Sequence, residues 1–96
     1  MQMLFEWDRR KAKANQRKHG VSFEEAQSVF TDPLALMLPD PDHSDDEDRF
    51  VELGMSDGQR LLVVGYTERG PRIRLINARE ASTRERKQYE EETHYG

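Results

Sequence analysis

The sequence predicts an α+β domain in which helices pack on an antiparallel, meandering sheet. Three observations support this class. Between residues 49 and 78, runs of β-branched and aliphatic residues are separated by Asp-Gly and Gly-Pro turns, as in consecutive hairpins. Helix-start patterns precede these runs at Asp8 and Ser22. A further helix start, at Ser82, follows them.

The N-terminal part predicts a short strand and two helices. Residues 3–5 form the strand, and Asp8 caps a helix that ends at Gly20, a residue type that favours the position after a helix. This helix has few apolar residues, so we expect it to be solvated and anchored to the core by Trp7. The second helix begins at Ser22 and presents one apolar stripe, formed by Phe23, Ala26, Val29 and Phe30.

The rest of the chain predicts four strands and a closing helix. The strands are expected at 34–38, 49–55, 61–67 and 72–78, and the helix from Ser82 through Glu92. Strict alternation along the last strand places Arg72 and Arg74 on one face, together with residues 76 and 78, and places Asn77 and Arg79 on the other face.

Length and composition predict one domain, covering residues 1–96, with a polar tail at 90–96 that we expect to fray. The chain has no cysteine, which suits a reducing compartment. Neither a signal-peptide pattern nor a membrane-spanning apolar stretch is visible, so we expect a soluble, cytoplasmic protein.

The net charge of −4 conceals a strong segregation of charge along the sequence. Residues 1–20 carry six basic and two acidic side chains, and residues 59–87 carry eight basic and three acidic side chains. Residues 21–58, in contrast, carry one basic and eleven acidic side chains. This pattern indicates either a surface that binds a polyanion or a solvated surface of mixed sign.

The acidic stretch at residues 40–48 is the one place where a divalent cation is conceivable. Its spacing does not match an EF-hand, and acidic loops are commonly solvated. We therefore interpret it as a solvated loop and expect no metal and no other cofactor.

Arginines of the last hairpin are the first candidates for function. A guanidinium binds phosphate through two parallel hydrogen bonds and stays charged at every relevant pH, which suits a phosphodiester. Arg69 at the turn and Arg79 at the strand end are candidates for stabilising negative charge at a phosphodiester. Arg72 and Arg74 are candidates for binding the same phosphodiester backbone, although both also fit an ordinary solvent-exposed face.

Cysteine and serine nucleophile motifs are absent from the sequence, so catalysis would have to use other side chains. Two of these are candidates for proton transfer. His19 lies at a helix end, and histidine exchanges protons near neutral pH. The same position also suits a histidine that only interacts with the last helical carbonyls. Tyr66 lies on a strand face with Leu62 and Val64, where it is either functional or part of the core edge.

Two motifs closely resemble those of the BrnT-type toxins. The first is WDxxKAxxNxxKHGxSFEEA, starting at Trp7, and the second is YTERGxxIRxIxAR, starting at Tyr66. The resemblance extends over nearly the whole chain. Asn77 is a departure, since a serine is common at this position in the family.

The resemblance implies a RelE-like ribonuclease that cleaves RNA and arrests growth. It also implies a BrnA-type antitoxin partner, whose ribbon-helix-helix domain binds promoter DNA as part of the complex. Carried over by position, it gives a set of site residues: Lys18, His19, Tyr66, Arg69 and Arg79. If the substrate is RNA, we expect Lys18, together with Arg72 and Arg74, to bind it.

Two hypotheses follow. The first is a metal-independent endoribonuclease in which the RNA 2′-hydroxyl attacks the adjacent phosphate, with the antitoxin covering the basic hairpin. The second is a non-catalytic module that sequesters RNA or a protein, because no convincing acid–base pair is visible in the sequence.

Overall fold

A computed structural model of the chain describes residues 3–40 and 49–94. The elements follow the predicted order, with a 3₁₀ turn at Val29–Thr31 after the second helix. The strands are β1 (Leu4–Glu6), β2 (Leu36–Pro39), β3 (Arg49–Met55), β4 (Leu61–Arg69) and β5 (Arg72–Glu80). The helices are α1 (Arg9–His19), α2 (Phe23–Ser28) and α3 (Thr83–His94). Residues 41–48, which hold nearly all of the acidic loop, lie outside the described residues.

The strands form a single mixed sheet in the order β1-β5-β4-β3-β2. Strands β2 to β5 are antiparallel neighbours, which confirms the meander. The expectation of a purely antiparallel sheet is wrong, because β1 runs parallel to β5, with Phe5 opposite Ile73. Parallel neighbours require a long connection, and the helices and strands between β1 and β5 provide it.

The pairing of β4 with β5 contains a β-bulge near the middle of β5. Tyr66 lies opposite Leu75, whereas the preceding residue, Gly65, lies opposite Asn77. Ile76 is therefore an extra residue in β5 with no counterpart in β4.

This bulge reverses the alternation of side chains along the second half of β5. Asn77 and Arg79 consequently lie on the same face as Arg72 and Arg74, while Ala78 points to the other face. The expectation that the two pairs occupy opposite faces is wrong, because strict alternation holds only where no residue is inserted.

The main core lies between the sheet and the first two helices. Trp7 contacts Phe23 edge to face with ring centroids 5.9 Å apart, which confirms its role as an anchor. Phe30 contacts Tyr66 in the same manner at 5.0 Å. Edge-to-face pairs add to the stabilisation from burial. The buried residues of this cluster are Val21, Phe23, Ala26, Val29, Leu62, Val64, Tyr66, Leu75 and Ala78.

The predicted helix caps are present in the structure. The Asp8 carboxylate accepts hydrogen bonds from the backbone N–H groups of Arg10 (2.8 Å) and Lys11 (3.1 Å). Gly20 ends α1 with a φ of 70°, a conformation that glycine adopts without strain. Ser22 caps α2 by accepting a hydrogen bond from the Glu25 N–H. These contacts satisfy helix-end groups that would otherwise lack partners.

Helix α3 packs on the opposite face of the sheet through few side chains. Tyr89 is buried against Leu53, Leu61 and Val63, and its hydroxyl donates a 2.6 Å hydrogen bond to Asp32. Burial and this hydrogen bond raise the Tyr89 pKa to about 12. The helix continues to His94, which includes most of the expected tail. None of the described helices is long and apolar enough to cross a membrane.

Glu85 connects the start of α3 to the end of β5. Its carboxylate accepts hydrogen bonds from both terminal nitrogens of Arg79, at 2.8 and 2.9 Å, and from the Ser82 backbone N–H at 2.8 Å. The hydrogen bonds from Arg79 are the largest cause that lowers the Glu85 pKa to about 2. Glu85 therefore caps α3 and orients Arg79 at the same time.

The Gly54 backbone approaches its neighbours closely enough to exclude a larger side chain. A Cβ atom at this position would lie 2.9 Å from both the Ala35 Cβ and the Val29 Cγ1. We expect Gly54→Ala to lower the free energy of unfolding by about 1–3 kcal/mol, as measured by urea denaturation. Adding Ala35→Gly should recover part of this loss. A double variant no more stable than Gly54→Ala would contradict the steric explanation.

Stability should depend on pH through Glu85. Its folded-state pKa of about 2 lies below the ordinary 4.5, so its contribution is present above pH 4.5 and is lost as the pH falls toward 2. We expect Glu85→Gln to cost about 1 kcal/mol at pH 6, because the ion pair is partly exposed, and less at pH 3. Urea denaturation at both pH values measures this, with the exposed Glu90→Gln as control. A deficit equal at both values would contradict the assignment.

Candidate functional site

A groove of about 430 Å³ runs between α1 and the outer edge of β5. Strand β1 pairs with β5 along Arg72–Arg74, and α1 lies beside the strand further along. The groove is lined by Lys11, Ala14, Asn15, Lys18 and His19 of α1 and by Ile76, Asn77, Ala78 and Arg79 of β5.

Asn15 holds the two walls of this groove together. Its side-chain oxygen accepts a hydrogen bond from the Ala78 N–H at 3.0 Å, and its amide nitrogen donates to the Ala78 carbonyl at 2.9 Å. The same nitrogen donates to the Val21 carbonyl at 3.0 Å. Asn15 therefore pairs with the β5 backbone much as a neighbouring strand would. It is the buried residue of α1, with 7% of its surface exposed.

Asn15 is not among the sequence-predicted site residues. The available signal is an asparagine in the middle of a predicted helix, where this residue is unfavourable because its side chain competes for backbone hydrogen bonds. Such a residue is retained at low cost only where its amide has fixed partners. The sequence does not reveal that these partners lie more than sixty residues away, in β5.

His19 and Lys18 lie in the last turn of α1, where Gly20 ends the helix. His19 is half-buried and Lys18 is exposed. Both residues line the groove together with Arg79, although Arg79 is distant in sequence. The structure thus brings three of the sequence-predicted site residues to one groove. The arrangement combines a side chain that can exchange a proton with two cations that can bind an oxyanion.

Arg79 also belongs to a second surface, which we call the arginine face and define as Arg72, Arg74, Asn77 and Arg79 of β5. It lies on the sheet face opposite α1 and α2. The exposed fractions of the arginine side chains are 56% for Arg72, 34% for Arg74 and 44% for Arg79. All three guanidinium groups are therefore accessible to a large anion.

Ion pairs neutralise only part of the charge on this face. Arg74 forms a 2.9 Å ion pair with Glu6 of β1, and Arg72 approaches the same carboxylate at 3.8 Å. One carboxylate thus lies between two guanidinium groups. At the other end of the face, Arg79 is paired with Glu85. The arginine face keeps a net positive charge and ordered side chains, both of which favour binding of a polyanion.

Gly65 creates the space that Asn77 occupies on this face. A Cβ atom at Gly65 would lie 2.6 Å from the Asn77 side-chain oxygen. The Asn77 side chain therefore lies across the bare backbone of β4, between Arg74 and Arg79 of β5. Asn77 is exposed and also lines the groove, so the groove and the arginine face are continuous.

Tyr66 and Arg69 lie away from the groove. Tyr66 is 4% exposed and lies in the core between the sheet and the first two helices. Its hydroxyl donates a 3.4 Å hydrogen bond to Glu52. Burial is the largest cause that raises the pKa of both Tyr66 and Glu52. Arg69 lies opposite Arg72 at the tip of the β4–β5 hairpin, at the far end of β5 from Arg79. The roles predicted for Tyr66 and Arg69 remain predictions.

The chain resembles ribonuclease toxins both in sequence and in structure. The family model for the ribonuclease toxin BrnT of type II toxin–antitoxin systems matches residues 7–85. The 1.1 Å crystal structure of the Brucella abortus ribonuclease toxin BrnT is similar, with a TM-score of 0.67 and 25% sequence identity, over 85% of this chain and 100% of that chain. A search of curated proteins gives no significant match. The chain belongs to the BrnT family of ribonuclease toxins of type II toxin–antitoxin systems.

Proposed function

We propose that this protein is an endoribonuclease toxin that cleaves RNA without a metal ion, at the groove between α1 and β5. In this reaction the RNA 2′-hydroxyl attacks the adjacent phosphate, and the 5′-oxygen of the next nucleotide leaves. The observation that carries the proposal is the joint lining of one groove by His19, Lys18 and Arg79. No protein nucleophile is needed, which fits a chain without cysteine.

The proposed roles follow from the charge changes in this reaction. Negative charge grows on the non-bridging phosphate oxygens in the transition state, and Arg79 and Lys18 would stabilise it. A proton leaves the 2′-hydroxyl and another reaches the departing 5′-oxygen. His19 would carry out one of these transfers, since histidine exchanges protons near neutral pH.

The ion pair with Glu85 prepares Arg79 for this role. Its two hydrogen bonds hold the guanidinium in a defined orientation at the end of β5. The low pKa of Glu85 keeps its carboxylate ionised, so the interaction persists at neutral pH. An incoming phosphate would bind the remaining N–H donors of Arg79 or compete with Glu85 for the others. A fixed guanidinium stabilises developing charge without reorganising during the reaction.

Two of the sequence-based candidates take different places in this proposal. Tyr66 is not given a role in the reaction, because its hydroxyl interacts with Glu52 on the sheet face that α1 and α2 cover. Arg69 is assigned to binding RNA away from the reacting phosphate, together with Arg72 and Arg74. Its place at the hairpin tip motivates this assignment.

We further propose that the fold is RelE-like and that cleavage of cytoplasmic RNA inhibits translation and growth. The partner would be a BrnA-type antitoxin whose ribbon-helix-helix domain binds promoter DNA in the complex. We expect the antitoxin to cover the arginine face. Its accessible guanidinium groups would favour an acidic partner surface, and covering them would block RNA at the same time.

Cleavage should be measurable with a fluorogenic RNA oligonucleotide in EDTA. We expect His19→Ala and Arg79→Lys each to lower the cleavage rate about 10²-fold or more. Arg79→Lys keeps the positive charge but loses the two parallel hydrogen bonds. Mass spectrometry of the products should show 2′,3′-cyclic phosphate ends, because the 2′-oxygen is the nucleophile.

The matched control is Arg9→Ala, an exposed arginine at the start of α1 and outside the groove, which should keep the wild-type rate. Intact RNA after incubation with the wild-type protein would refute the proposed activity. Wild-type rates in Arg79→Lys would refute the proposed role of Arg79.

Antitoxin binding should depend on the arginine face. We expect Arg72→Glu to weaken binding about tenfold or more, because it places a negative charge against the acidic surface expected of the antitoxin. Replacing both Asp45 and Asp46 by lysine should leave the affinity nearly unchanged. Isothermal titration calorimetry with the purified antitoxin measures both. Loss of binding only in the aspartate variant would show that the antitoxin binds elsewhere.

A further inference from the structure

We infer that the arginine face is a track for single-stranded RNA that runs along β5 from the cleavage groove to the hairpin tip. This inference rests on the proposed function and specifies its substrate as a single strand several nucleotides long. Arg79 would contact RNA at the cleaved bond. Arg69 and Arg72 would contact RNA several nucleotides away.

The bulge at Ile76 makes the track continuous. Without the extra residue, Asn77 and Arg79 would point to the opposite face from Arg72 and Arg74. With it, all four side chains share one face. Arg72 to Arg79 lies beside Val63 to Arg69 of β4, because Ile76 is the extra residue. These six spacings of β4 correspond to about 20 Å, at about 3.3 Å per residue.

The length and charge of this face also support the track. A span of about 20 Å exceeds one nucleotide and corresponds to a site of roughly three or four, at the lower end of the range for single-strand binding sites. Arg69 lies opposite Arg72, so two exposed guanidinium groups mark the end distant from the groove. This is more positive charge than one reacting phosphate requires.

The surface between the arginines supports the track as well. Gly65 leaves the floor of the track without a side chain, and Asn77 lies across it with an exposed amide. An amide can both donate and accept hydrogen bonds at the edge of an unpaired base. The middle of the track therefore offers a contact to a base, whereas both ends offer contacts to phosphates.

A single strand fits this arrangement better than a duplex. Attack by the 2′-hydroxyl requires the nucleophile, the phosphorus and the leaving oxygen to be nearly in line, and the regular A-form backbone does not provide this geometry. A single row of cations also matches one phosphate backbone better than two. A structured RNA would therefore have to present an unpaired segment.

The test compares two oligoribonucleotides, of 2 and 12 nucleotides, that contain the same cleavable step. The step lies at the centre of the 12-mer, so RNA extends from it in both directions. We expect the wild-type protein to cleave the 12-mer with at least tenfold higher kcat/KM. In the double variant Arg69→Ala/Arg72→Ala this ratio should fall about tenfold, mainly through a higher KM for the 12-mer. Arg9→Ala is the matched control, and its ratio should equal that of the wild type.

Two further measurements complete the test. The double variant should show a weaker salt dependence for the 12-mer, because fewer phosphates are neutralised. A duplex containing the 12-mer should be cleaved at least tenfold more slowly than the free strand. Circular dichroism and thermal melting establish that the double variant is folded.

The outcomes separate this inference from the proposed function. A ratio retained in the double variant, or a duplex cleaved as fast as the single strand, would overturn the track and leave the ribonuclease intact. If the wild-type protein cleaves neither oligonucleotide, the proposed function fails. Fluorescence anisotropy with 2′-O-methyl 2-mers and 12-mers, which cannot be cleaved, then tests the track alone. Equal affinity for both lengths would overturn it.

Discussion

A single extra residue in β5, Ile76, determines which side chains of the sheet act together. Before it, the arginines of β5 alternate with core residues in the usual way. After it, the phase is reversed, so that Ala78 still packs in the core while Arg79 joins the arginine face. The bulge thus keeps Ala78 in the core and places Arg79 on the charged surface. Gly65, beside the bulge, provides the space that the displaced Asn77 side chain fills.

The Arg79–Glu85 pair shows how a small domain uses one side chain for two purposes. Glu85 satisfies a free N–H at the start of α3 and fixes the guanidinium of Arg79. Helix α3 contributes little apolar surface apart from Tyr89, so its attachment depends on such polar contacts. The orientation of Arg79 is therefore coupled to the docking of α3.

Local rules predicted the order of the elements and the helix caps at Asp8 and Ser22, because these depend on residues within one turn. The parallel pairing of β1 was not predictable, since it depends on contacts between distant segments. The bulge was equally hidden, because no turn signal marks Ile76. In the site, the resemblance selected His19, Lys18 and Arg79, which line one groove, but it did not show that Tyr66 is buried.

Asn15 has a consequence beyond the groove that it shapes. Unpaired strand edges are templates for association with other chains, and proteins protect them with charges or by covering them. Here the Asn15 amide occupies the backbone N–H and carbonyl of Ala78, and the lysines of α1 lie beside the same edge. The helix that supplies His19 therefore also prevents β5 from recruiting a foreign strand. Solubility and catalysis would thus depend on the same helix, so variants of Asn15 that lose activity should also be the ones that aggregate.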